Sequence, residues 1–194
     1  VSAVGSAVSV RDVVAINNGG DDAINAAKAA REFGLQAKGV KVVALGLDSL
    51  PAIKSASLDV AQSGMYVTPW LPEISPEAQA FTKKFIERRK TAPSAFQVGT
   101  YSAALSWLKG VKATNSKDPK TVLAWMQKQN FKDAFTNSGT LRPDGRMIHD
   151  VYLVQIKTPA ESKSEWDLLK LVSAIPGDQA FRPLSDGACP ALKK

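Results

Sequence analysis

The chain has 194 residues, 44% of them hydrophobic and 22% charged, with a net charge of +7 and a pI near 9.5. This is an ordinary globular composition, long enough for one large domain or two small ones. No run approaches the roughly 18 apolar residues that a membrane span requires, and one histidine and one cysteine leave little for a metal cluster or a thiol–imidazole pair.

The opening, VSAVGSAVSVR, is apolar but has no basic leading region or cleavage pattern, so it is not read as a signal peptide. Val13-Val14-Ala15-Ile16 is a short β-branched run of the kind found in strands buried on both faces. Polar and glycine-rich residues Asn17 to Asp22 follow, then a helical period placing Ala23, Ala26, Ala27, Ala30 and Phe33 on one face. Asp21 or Asp22 is expected to cap this helix, and Gly34 to end it in a left-handed conformation. Lys41 to Leu47 repeats the strand signature, Asp48-Ser49 closes it, and 50–62 is expected as one helix with Pro51 in its first turn. Two strand–loop–helix units in succession give an α/β fold with parallel strands.

A third strand is expected within 64–70, running into Thr68-Pro69-Trp70-Leu71-Pro72, where two prolines mark a boundary. Ser75-Pro76-Glu77 is a helix start, with Ala78, Phe81 and Phe85 expected inward. A long helix over about 94–113 shows Val98, Tyr101, Leu105 and Leu108 as its stripe, and Asp118-Pro119 opens a shorter one carrying Val122, Leu123 and Met126. Arg142-Pro143-Asp144-Gly145 has turn chemistry. His149 to Lys157 and Trp166 to Ala174 read as an antiparallel strand pair, because their connection is too short for a crossover helix. The tail from Ile175 has no period. The basic clusters at Lys83 to Lys90 and Lys109 to Lys120 read as solvated helix faces, and no nucleic-acid motif accompanies them.

The chain lacks a nucleophile elbow, a P-loop, a zinc-protease helix and a dinucleotide fingerprint, so neither an enzyme nor a cofactor is expected. His149 reads as structural, and Asp144-Gly145 lacks the alternating ligands of a calcium loop. Cys189 has no partner for an internal disulfide. The loop Asn17, Asn18, Gly19, Gly20, Asp21, Asp22 is different. At a strand's carboxyl end and a helix start, its N–H groups can donate to a ligand carboxylate and its acids can accept from an ammonium. Equally, Asp22 can serve only as a cap and the glycines only as a turn. Asp48, at the corresponding end of the next strand, carries the same two readings.

DVVAINNGGDDAINAAKAAREFGL resembles the strand–loop–helix of the second lobe in periplasmic solute-binding proteins of ABC transporters, the branched-chain amino acid and amide type. FQVGTYSAALSWLKGVKAT is similar to that family's first-lobe helix, and DGRMIHDVYLVQIKTPAESKSEWDLLKLVSAIPGDQAFRPL resembles its C-terminal segment. The resemblance runs from Asp12 to Cys189 and implies the type I fold: two α/β lobes joined by hinge crossings, closing on a ligand. It implies that 1–66 is part of the second lobe and 67–135 a mostly helical part of the first. A strand pair over 136–175 then returns to the second lobe, and 176–194 is an irregular tail. The family's acidic residue before the helix takes the ligand's ammonium; Asp22 is the positional match, with Asp21 one step away. An ABC permease and a periplasmic location follow by the same resemblance.

Family members are about twice this length, and the half not matched is N-terminal. The chain is therefore expected to be a fragment, a truncated product or a recombined chain, exposing apolar strand edges unless it self-associates or meets a complementary chain. The expected function is capture of an amino acid or related small carboxylate. The alternatives are a stand-alone α/β interaction domain that binds no small molecule, and the sensing domain of a regulator or receptor.

Overall fold

A computed structural model describes residues 13–44, 49–62 and 64–187. Asp48, Cys189 and positions 45–47 of the expected second strand lie outside the described residues. The chain divides into two compact units, one of Val1–Thr68, Arg89–Ser94 and Tyr152–Ser173, the other of Pro69–Arg88, Ala95–Val151 and Ala174–Lys194.

The first unit is built on β1 (Val13–Ile16), α1 (Gly20–Glu32) and β2 (Lys41–Ala44), with α2 (Leu50–Ala56) and α3 (Leu58–Ala61) leading to β3 (Met65–Thr68). β1 and β2 pair in parallel from Val13 opposite Lys41 to Ile16 opposite Ala44, and β2 pairs in parallel with β3. Two later strands complete the sheet, β7 (Val151–Ile156) and β8 (Leu169–Ile175), in the order β1-β2-β3-β7-β8. β7 runs antiparallel to β3, Met65 facing Gln155 and Thr68 facing Tyr152. Alternation on β7 buries Tyr152, Val154 and Ile156, as a sheet with one covered face requires.

α1 packs on β1 and β2 and against α2 and α3. It buries Ala23, Ile24, Ala27 and Ala30, whereas Ala26 is half-buried and Phe33 exposed, so the apolar face is rotated towards Ile24 from the expected one. Gly34, at φ +69°, ends the helix as expected: its N–H bonds Arg31 O at 2.8 Å and Leu35 N–H bonds Ala30 O at 3.0 Å, while Leu35 is buried. Two expectations fail. β1 is not buried on both faces: Ile16 is buried, but Val13 is 59% exposed and Ala15 is exposed. It is an edge strand among the described residues, covered on one side by α1. The helix expected over 50–62 is broken at Ser57, at φ 71° and ψ 151°. Ala56 and Ala61 are both buried; on one continuous helix, residues five apart point about 140° from each other. The break lets both reach the core.

The second unit holds α4 (Pro76–Arg89), α5 (Ala95–Thr114), α6 (Pro119–Met126) and α7 (Gly177–Ala180), with β4 (Asn130–Phe131), β5 (Gly139–Leu141) and β6 (Met147–Ile148) forming a small antiparallel sheet. Ser75 Oγ accepts from Ala78 N–H at 3.0 Å and Asp118 Oδ2 from Thr121 N–H at 2.8 Å, so both expected helix starts are capped. Trp70, Ala78, Val98 and Ala134 form a core, and the Trp70 indole donates to Ala134 O at 2.7 Å. The expected stripe on α5 is corrected. The buried line is Val98, Ser102, Ser106 and Gly110, while Leu105 is half-buried, Tyr101 is exposed and Leu108 is 62% exposed. Small residues four apart let α6 approach closely: a Cβ on Gly110 would stand 2.7 Å from Val122 Cγ1. Ser102 Oγ satisfies its burial by donating to Asp133 Oδ2 at 2.6 Å.

The turn expected at Arg142 to Gly145 is present, with Gly145 N–H on Arg142 O at 2.9 Å and Gly145 at φ +81°. His149 lies between β6 and β7 rather than on a strand. Buried, it meets Phe135 and Phe181 edge-on at 5.0 and 5.3 Å, and its Nδ1 lies 2.7 Å from Asp150 O. Burial is the main reason that its pKa is lowered.

Two predictions follow from this packing. Ser57→Gly is expected to raise stability by about 1 kcal/mol, since an extended positive-φ backbone costs a serine about 1–3 kcal/mol and glycine returns part of that as unfolded-state entropy. A higher urea midpoint at unchanged slope is the readout. For His149, the unfolded ring titrates near 6.5 and the buried one below it, so the unfolded chain holds more protons between the two. Stability is therefore fully present above about 6.5 and falls as pH drops through that window. His149→Leu is expected to flatten the pH dependence of the urea midpoint just below about pH 6.5.

Candidate functional site

Ile16 is the last buried residue of β1; from Asn17 to Asp22 every residue is exposed. Asn17, Asn18 and Gly19 form the connection, and Gly20 begins α1 at φ +58°, a conformation that favours glycine. At Gly19 a Cβ would meet nothing within 4 Å, and its backbone, at φ −112°, suits any residue. Gly20 is thus required by backbone shape, while Gly19 leaves room above the helix end.

Neither acid caps the helix. Gly19 is the capping residue and makes no side-chain cap, while Asp21 and Asp22 both lie within the first turn. Among the described residues the first-turn N–H groups of α1 therefore have no side-chain cap, and they stand next to two carboxylates. The helix dipole favours negative charge here, which stabilises both aspartates where they stand. In one helical turn the loop offers donors for an anion and acceptors for a cation. Asn18, Gly19, Gly20, Asp21 and Asp22 are brought together by the structure; Asp48 lies outside the described residues. Ser49, beyond it, caps α2 by accepting from Ala52 N–H at 3.4 Å.

A cavity of about 360 Å³ lies elsewhere in the same unit. Val13, Lys41, Val42, Gly64, Met65 and Gln155 line it, at the amino ends of β1, β2 and β3. It contains none of the expected site residues and sits at the opposite sheet edge from Asn17 to Asp22. Ligands of open α/β sheets occupy the carboxyl edge, which favours the loop over the cavity as a solute site. No signal in the sequence pointed to this cavity. Among the described residues no group of His, Cys, Asp and Glu could hold a metal ion, and no helix is long and apolar enough to cross a membrane.

Comparison with known proteins agrees with this architecture. A family model described as periplasmic binding protein matches residues 7–163. A periplasmic binding protein from Burkholderia mallei is 33% identical with a TM-score of 0.84, over 93% of this chain and 48% of that one. A branched-chain amino acid ABC transporter periplasmic ligand-binding protein from Burkholderia xenovorans is 41% identical with a TM-score of 0.80, over 92% of this chain and 47% of its own. A solute-binding protein of an ABC transporter from Rhodopseudomonas palustris, solved with 3,4-dihydroxybenzoic acid, is 16% identical with a TM-score of 0.72 and shares the fold. The comparison with curated proteins gave no match. This chain spans about half the length of the solved structures that it resembles. The matched family model, the two relatives above 30% identity and the mixed α/β sheet agree: the chain belongs to the periplasmic binding protein family, with the type I fold.

Proposed function

We propose that this chain is part of the extracytoplasmic solute-binding component of an ABC importer, and that its α1 corner grips an amino acid or a related small carboxylate without transforming it. The observation that carries this reading is the uncapped first turn of α1 with Asp21 and Asp22 beside it, all exposed. Exposed N–H donors take the solute's carboxylate, and an aspartate takes its ammonium as a charge-assisted hydrogen bond. Family membership and the transport role named for the Burkholderia xenovorans relative support it. In this reading Asp22 is the ammonium partner, Asp48 is a further ligand contact expected from the sequence alone, and the carrier delivers to a membrane permease. Residues 1–66 and the strands of 136–175 form part of the second lobe, and 67–135 part of the first.

Calorimetry with aliphatic amino acids and aromatic carboxylates tests this proposal, on a protein carrying this chain within the full length of its relatives. At least one solute is expected to bind. Asp22→Asn is expected to weaken an amino acid about 10- to 100-fold, the value of a charge-assisted hydrogen bond of roughly 1.5–3 kcal/mol, and Asp21→Asn by less than about threefold. Binding of no solute, or equal binding by both variants and the parent, would sink the reading.

A further inference from the structure

We infer that the cavity at the amino edge of the five-stranded sheet is a second small-molecule site, one that takes an uncharged compound bearing a carboxamide or lactam group. It is separate from the α1 corner and does not depend on which solute is gripped there.

The cavity holds about 360 Å³, within the range that suits small organic ligands. Its walls follow from how the chain re-enters the sheet. After α1 comes a 3₁₀ turn, Gln36–Lys38, closed by Gly39 N–H on Gln36 O at 2.9 Å and Val40 N–H on Leu35 O at 3.1 Å. This bonded turn fixes Gln36 just ahead of β2. Across the sheet Val43 stands opposite Met65, and Met65 opposite Gln155, so β2, β3 and β7 supply one continuous row of the lining.

Gln36 Oε1 is the one side-chain atom among the described residues that is buried without a hydrogen-bond partner. Buried polar groups in folded proteins are paired, so this oxygen marks a place for a donor. Gln155 adds a second carboxamide, half-buried, and Gln62 a third, whose Nε2 is already spent on Asp59 O at 3.0 Å. Val13, Val40, Val42 and Met65 make the rest of the wall apolar. No acid lines the cavity among the described residues, and its one charged side chain, Lys41, is exposed. These features select the ligand class. An orphaned acceptor attracts an N–H and repels a carboxylate, while a cation would meet Lys41 and no acid. An amide carries donor and acceptor side by side: it gives its N–H to Gln36 Oε1 and takes one from Gln155 Nε2. A flat apolar body then covers the valines and Met65 and releases water from them. Water alone would pair Gln36 but gain nothing along that wall.

The test compares two probes of one shape, benzamide and benzoate, on a protein carrying this chain within the full length of its relatives. Amide shifts in NMR titrations locate and measure the binding. Benzamide is expected to bind with a Kd on the order of 1 mM, as so small a probe allows. It shifts the amides of Gln36, Val42, Met65 and Gln155 and leaves Asn17 to Asp22 unmoved. Benzoate is expected to bind there at least about tenfold more weakly. Gln36→Leu is expected to weaken benzamide about tenfold, the value of one lost hydrogen bond, with the unfolding midpoint unchanged or raised because the orphaned oxygen is gone. Should that variant fail to fold, Gln155→Leu, at a half-buried position, carries the same expected loss of binding. Three results would overturn the site. One is no benzamide shift at the cavity, which would leave water as its occupant. Another is benzoate bound as tightly as benzamide, which would make Lys41 the recognising group. The third is unchanged benzamide binding by a folded Gln36→Leu protein. Benzamide bound at the cavity of a protein that binds no amino acid or carboxylate would leave this site standing while the transport reading falls.

Discussion

β1 and β2 run parallel and in register from Val13 opposite Lys41 to Ile16 opposite Ala44, and parallel neighbours cannot be joined by a tight turn. The chain must leave β1 at one edge of the sheet, cross a face and re-enter at the other edge. α1 is that crossing, and its apolar alanines and Ile24 are what hold it to the sheet. Everything at the candidate site descends from this constraint. Because the helix starts where the strand ends, its N–H groups open at the carboxyl edge, and residues placed there become a polar corner on a rigid support. The return through Gly34 and Leu35 fixes the other end, so that the corner cannot swing without unpacking Leu35.

The polar corner sets helix N–H donors and two carboxylates side by side in one short stretch. A side-chain cap would have used the first-turn donors; here the capping position is Gly19, which has nothing to offer. The aspartates sit one and two residues further on, where the dipole stabilises them. Replacing Gly19 by aspartate or serine would trade an open corner for a sturdier helix. This is the trade between local stability and an open site that recognition surfaces make.

What the sequence revealed was local, and what it hid was decided at longer range. The unit from Val13 to Glu32, the proline-led helices and the Arg142 to Gly145 turn were legible because each is set by neighbours within a few residues. The corner's residues were legible for the same reason; of the two readings the sequence left for its acids, cap or ligand contact, the cap fails because the backbone places Gly19 in that position. α5 was misread because hydrophobicity says nothing about volume. Val98, Ser102, Ser106 and Gly110 are buried for closeness of approach, while the greasier Tyr101 and Leu108 face outward. The helix break was invisible because Ser57 adopts a backbone shape that normally announces itself as glycine. The small sheet of β4, β5 and β6 was missed because strands of two or three residues leave no readable alternation.

The line of small residues on α5 sets a rule for how this helix can drift in evolution. Selection there acts first on bulk: Gly110 admits no Cβ without displacing Val122, Ser102 must also keep its hydroxyl on Asp133, and a leucine anywhere on the line would lever α6 off its bed. The outward side obeys the reverse rule, free in size and answerable only to whatever shares its surroundings. A single helix thus carries two independent clocks, one kept by space and the other by company.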